Sequence, residues 1–167
     1  MNENEKEVSL YMAGDLFNAG TRFHNMHLGK ALEKLGWKII LPQKEALAFQ
    51  NPNGTFDIGA VVADCRQKSS DKKNLTVANT DGTDGDSGTS IEVGHALSST
   101  GRAVIYRTDF RFDPVHEVGL NAMYRDPQAE FVYHPCFVTD IAELEKYYDE
   151  LALKIDEAIK RVLAREQ

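Results

Sequence analysis

The residues with the most chemical promise lie in one stretch, Asp81-Gly-Thr-Asp84-Gly-Asp86-Ser-Gly-Thr-Ser-Ile-Glu92. A short apolar run, Leu75–Asn79, precedes it and reads as a buried strand, and helical sequence begins at about Thr89. Strand, acidic turn and helix in that order put the turn at the carboxyl end of a sheet strand, where open α/β sheets bind ligands. Glu92 is expected in or near the first turn of the helix, where the helix dipole favours its ionised form. A fixed, ionised carboxylate at the mouth of a sheet is a candidate nucleophile. Asp86, just before the helix, suits either an N-terminal cap or a ligand contact. The run of aspartates superficially suggests calcium, but the ligand spacing and terminal glutamate of an EF-hand are missing, so no metal site is expected. Neither GxGxxG after the first strand nor GxxxxGKS/T is present, and no cofactor is expected.

The elements that must position these carboxylates can be read in order. Val8–Ala13 reads as a first strand ending at Gly14. Gly20–Leu35 has apolar residues at helical spacing, with Gly36 as its stop. Trp37–Leu41 reads as a second strand, and residues 43–54 as a loop or broken helix. Asp57–Lys73 favours a helix over a strand, which sets Asp64 on a helix in front of the strand Leu75–Asn79. Ser90–Ser99 forms the next helix, Ala103–Tyr106 and Glu130–His134 two more strands, and Leu120–Tyr124 a short turn between them. Arg107–Gly119 is charged and aromatic and is expected to cover or complete a pocket. Asp140 to Arg165 reads as one amphipathic helix with Ile141, Leu144, Tyr148, Leu151, Ile155, Ile159 and Val162 on its apolar face, capped by Asp140 with Glu143. Strands alternating with helices predict a doubly wound, mainly parallel five-stranded α/β sheet with helices on both faces. In that arrangement Tyr11–Phe17 and Asn79–Glu92 face each other across the switch point.

Composition narrows the field. One hundred and sixty-seven residues suit a single domain over residues 8–167, after a polar, disordered lead-in at 1–7. That lead-in has the wrong chemistry for a signal peptide. A net charge of −7 without a basic cluster argues against nucleic acid. No apolar run approaches the roughly 20 residues of a membrane span. Cys65 and Cys136 lack metal-type spacing and read as free thiols in a reducing cytoplasm. His24, His27, His116 and His134 form no cluster in the sequence, and His95 reads as a packed histidine.

Four blocks carry a family resemblance: Leu10-Tyr11-Met12-Ala13-Gly14-Asp15-Leu16-Phe17, Leu41-Pro42-Gln43, Asp86-x-Gly-x-x-x-Glu92-x-Gly94 and Val104-Ile-Tyr-Arg-Thr-Asp109. In order and spacing they resemble the nucleoside 2-deoxyribosyltransferase family across residues 8–135. The resemblance implies a flavodoxin-like fold and a double displacement: a glutamate expels the base of a 2′-deoxynucleoside, and a second base attacks the deoxyribosyl-enzyme. It assigns Glu92 as nucleophile, Tyr11 as the residue that orients it, and Asp64, with a gap of two residues, as the acid that serves the base. It assigns Asp86, Gln43 and Gly14 to the substrate site. Asn121 and Met123 resemble a segment that a neighbouring subunit lends to the sugar site, which implies a homo-oligomer with a shared active site. The implied partners are a 2′-deoxynucleoside and a free purine or pyrimidine base. Asp15 stands where the family often has proline.

The chemistry suits these roles. Breaking an N-glycosidic bond builds oxocarbenium character on the sugar and negative charge on the base. A carboxylate on one face stabilises and traps the first, and a proton donor near the base assists the second. Two alternatives remain open: a 2′-deoxynucleoside hydrolase, in which water replaces the acceptor base, and a silent nucleoside-binding module. A 5′-phosphate substrate fits less well, because Ala13-Gly14-Asp15-Leu16-Phe17 presents an acid where phosphate donors are needed.

Overall fold

The computed structural model describes residues 7–111 and 120–165. Residues 1–6 of the expected lead-in, and 112–119 of the segment expected to cover the pocket, lie outside them. Five strands, β1 (Ser9–Ala13), β2 (Lys38–Ile40), β3 (Asn74–Asn79), β4 (Ala103–Arg107) and β5 (Glu130–Tyr133), form one sheet in the order β2-β1-β3-β4-β5. All four pairings are parallel. This is the flavodoxin-like order, whose switch point lies between β1 and β3.

Alternation along the strands sorts the two faces. Leu10 and Met12 of β1, with Val77 and Val104, bury against α1 (Ala19–Lys34) and α5 (Leu144–Ala164). Tyr11 and Ala13, with Ala78 and Ile105, point the other way and meet Val93 of α4 (Ser87–Ser99). α3 (Ile58–Ser70) packs beside α4 on that second face. Tyr11 is therefore committed by strand parity to the α3–α4 side.

α1 starts on Asn18, whose side chain accepts the Thr21 N–H at 3.1 Å. It stops at Gly36, whose φ of 95° is the left-handed geometry that a glycine adopts without a Cβ penalty. The amides of Gly36 and Trp37 bond back to the carbonyls of Glu33 and Leu32, closing a Schellman motif.

Two elements differ from expectation, and a third, the segment 43–54, takes the broken-helix form of the two expected. α4 begins at Ser87, because Asp86 caps it by accepting the Thr89 N–H at 2.9 Å. Glu92 is thereby carried beyond the first turn. The segment 43–54 resolves into α2 (Pro42–Glu45) and a 3-10 turn, Ala46–Phe49. The C-terminal helix is broken near its start: Asp140 caps a separate 3-10 turn, Ile141–Glu143, through the Ala142 N–H, and α5 follows without a side-chain cap. Ile141, expected on the apolar stripe, is 82% exposed, while Tyr148, Leu151, Ile155, Ile159 and Val162 are buried. Among the described residues no helix is long and apolar enough to cross a membrane.

Candidate active site

A cavity of about 510 Å³ opens at the carboxyl ends of the central strands, within the size range of small-molecule sites. The turn after β1 supplies Gly14, Leu16 and Phe17, and α1 supplies Arg22. Pro42 and Gln43 of α2 line a second side, with Ile58, Val61 and Cys65 of α3. Asp86, Thr89 and Glu92 come from α4 and its cap.

Behind the cavity wall Tyr11 Oη donates to Glu92 Oε1 at 2.7 Å. Tyr11 is 1% exposed, so the phenol is fixed by the sheet rather than by solvent. Burial pushes the Glu92 carboxyl above its ordinary range; the bonds from Tyr11 and the Cys65 thiol pull it back, and Asp86 adds repulsion. Contrary to the expectation from sequence, the helix dipole does not govern Glu92, which sits past the first turn, where the dipole has faded, and desolvation is the largest influence. Burial, then the Glu92 charge, push the Tyr11 phenol up, so it remains a donor. Burial likewise raises the Cys65 thiol.

Asp86 both caps α4 and lines the cavity; its Oδ2 accepts the Thr89 N–H and, at 3.2 Å, the Thr89 hydroxyl. Gln43 lines the cavity but is engaged at both ends, accepting from Asn25 at 3.2 Å and donating to the Arg22 carbonyl at 3.1 Å. Gly14 lies so close to β3 that an added Cβ would stand 3.3 Å from Asn79 Cβ. Asp64 does not line the cavity. Its Oδ2 pairs with Lys68 at 2.7 Å, and Lys68 also holds Glu45. Successive helical residues point about 100° apart, so the stripe Ile58–Val61–Cys65 faces the cavity and Asp64 turns aside. Asn121 and Met123 line a different hollow on α4, with Ser90, Gly94 and Tyr124. Asn121 accepts the Met123 N–H at 3.0 Å, and Met123 is 84% exposed.

The acidic loop is spent on internal bonds. Asp81 accepts the amides of Thr108 and Asp109 at 2.6 and 2.8 Å and the Thr108 hydroxyl at 2.5 Å. Arg107, expected to open a pocket-covering segment, is instead the fully buried last residue of β4. It donates to the carbonyls of Thr80 at 2.5 Å and Gly82 at 2.6 Å. Gly82, at φ 110°, returns its N–H to Asp109. Arg111 holds the Asp109 carboxyl down at about 2. The described residues contain no group of three or more His, Cys, Asp or Glu arranged to hold a metal.

The model of the nucleoside 2-deoxyribosyltransferase family matches residues 10–124. The chain belongs to that family. The span covers every residue that the sequence resemblance assigned to the site, from Tyr11 to Met123. The fold is also similar to that in a crystal structure of a conserved protein from Enterococcus faecalis V583, at 24% identity and a TM-score of 0.58 over 90% of this chain and 98% of that one. No curated protein sequence matches the chain.

Within this deoxyribosyltransferase-family fold, three features lie outside the motifs that the sequence presents. Arg22 carries the expected helix but stood out in no motif. Cys65 was read only as a free thiol, although it shares a helical stripe with Ile58 and Val61. His24 and His27, three apart on α1, were read as unclustered. In fact His24 is half-buried, with Nε2 3.0 Å from Tyr106 Oη and Nδ1 3.2 Å from Tyr148 Oη, and His27 stacks on Tyr148. Desolvation pushes the His24 pKa down. The i, i+3 spacing was the available signal.

Proposed function

We propose that the protein transfers the 2-deoxyribosyl group of a 2′-deoxynucleoside from one base to another through a deoxyribosyl ester of Glu92. The observation that carries this reading is Glu92, which lines the cavity and is held by the buried Tyr11 hydroxyl. Tyr11 holds Oε1, and Oε2 forms the bond to C1′ in this reading. Fixing the carboxylate in advance removes orientational entropy from the attack. The sugar lies toward Glu92 and Asp86, and the base toward the apolar wall of Leu16, Phe17, Leu47 and Phe56. Asp64 takes no part in handling the base in this reading, because Lys68 holds it off the cavity. A second copy of the chain is proposed to close the site with Asn121 and Met123, in keeping with the exposure of Met123.

The test is incubation with thymidine, with and without adenine, followed by chromatography. Deoxyadenosine formed only in the presence of adenine supports transfer. Thymine and free deoxyribose released without adenine mark a hydrolase, and no turnover of any deoxynucleoside marks a binding module.

A further inference from the structure

Asp64's absence from the cavity leaves the departing base without a carboxylic acid on its side, and this bears on which bases can leave. The carboxyls that do line the cavity, Glu92 and Asp86, both belong to α4 and its cap. Gln43 is tied to Asn25 and to the Arg22 carbonyl. Arg22 is the only cationic side chain among the described residues that line the cavity. Its one bond to a described residue runs from Nη1 to the Leu16 carbonyl at 3.3 Å, which leaves the other guanidinium N–H groups for a ligand.

The placement of Arg22 is unfavourable by local rules. It is the fourth residue of α1, at the positive end of the helix, where acids are preferred. A residue that breaks a local rule is expected where function requires it. A guanidinium does not give up its proton near neutral pH, so it cannot act as a general acid. It can hold an anion by parallel N–H donors.

We infer, resting on the transfer reading above, that Arg22 holds the base as it leaves as an anion, and that the preferred donors are 2′-deoxynucleosides of uracil-type 2-oxopyrimidines. In the first step Glu92 Oε2 bonds to C1′ while the C1′–N1 bond breaks. The electron pair passes to N1 and the adjacent carbonyl oxygen, which Arg22 meets with N–H donors. The released anion takes its proton from water. In the second step an acceptor base that has lost its ring N–H proton to water attacks C1′, and the Glu92 ester oxygen leaves as carboxylate. Amino bases, which depart most easily when protonated, gain least from such a site.

The test compares wild type with Arg22→Gln and Arg22→Lys on two donors, 2′-deoxyuridine and 2′-deoxy-5-fluorouridine, with thymine as the common acceptor. The readout is kcat/KM for the donor. Fluorine stabilises the leaving anion, so the better leaving group depends less on Arg22. Arg22→Gln is expected to lower kcat/KM about 100-fold for deoxyuridine, the scale of losing one preorganised donor, and less than about 10-fold for the fluoro compound. Arg22→Lys recovers part of the loss. The ratio between donors does not depend on how much of a variant is folded. Equal slowing of both donors, or none, overturns this inference alone. A wild type inactive on both donors but active on 2′-deoxyadenosine likewise overturns this inference alone, and a wild type inactive on all three overturns the transfer reading and this inference with it.

Discussion

Tyr11 and Glu92 are 81 residues apart in the chain, and their side chains meet at 2.7 Å. Strand parity turns Tyr11 toward α4, and the cap at Asp86 sets the phase of α4 so that Glu92 comes round to it. Burial of the pair pushes the carboxyl up, and the phenol's hydrogen bond opposes that shift.

Glu92→Gln is expected to abolish turnover and to raise stability at neutral pH. The folded-state pKa of Glu92 is raised, so folding favours its protonated form. Its contribution is fully present below the unfolded value of about 4.3 and is lost as pH rises through the folded value. The Tm advantage of Glu92→Gln over wild type should therefore appear at pH 7 to 8 and shrink toward pH 4. Thermal unfolding across that range checks the sign, and wild-type-like turnover in the variant would remove the proposed nucleophile.

Tyr11→Phe deletes the bond that pulls the Glu92 pKa down. The acid limb of the pH–rate profile should move to higher pH, because the carboxyl must lose its proton to attack. At the plateau the loss of a hydrogen bond to a charged group, about 1.5–3 kcal/mol, corresponds to about 10- to 100-fold in rate. A limb that stays in place would show that Tyr11 does not tune the carboxylate.

Asp64→Asn separates resemblance from geometry. With its carboxylate paired to Lys68 and absent from the cavity lining, the change should alter kcat/KM by less than about 3-fold. A loss on the scale of Glu92→Gln, measured with thymidine and adenine, would restore Asp64 to the chemistry.

Asp81→Ala should cost about 2–3 kcal/mol in urea unfolding. It removes the acceptor of the Thr108 and Asp109 amides and one partner of the Thr108 hydroxyl. Because the same loop leads into the Asp86 cap, turnover should fall as well. Unchanged stability would show that the loop is held mainly by Arg107.

Mixing Glu92→Ala with Asn121→Ala should recover activity that neither has alone. If each site takes its asparagine from a neighbour, random mixed dimers contain one intact site in two, about a quarter of all sites. Activity that stays at the sum of the two separate variants would place Asn121 within its own subunit's economy or outside the site.

The order of elements could be read along the chain because alternation and helical periodicity are local properties. Asp86 and Glu92 could be paired for the same reason, since six residues on one helix fix their relation to each other. The start of α4 escaped by a few residues, because Asp86 serves at once as cap and cavity wall and a cap leaves no apolar signature. Asp64 lies one helical position from Cys65, and the rotation of about 100° between them puts Cys65 and not Asp64 at the cavity.

By itself the sequence determined the parallel α/β scaffold, the acidic turn before α4 and the carboxylate that could serve as nucleophile. Only the tertiary structure decided that Tyr11 reaches that carboxylate, that Arg22 and Cys65 share its cavity, and that burial raises its pKa. Spacing sets which residues share a face of one element. Which faces then meet, and how much water remains between them, depends on packing among segments far apart in the chain.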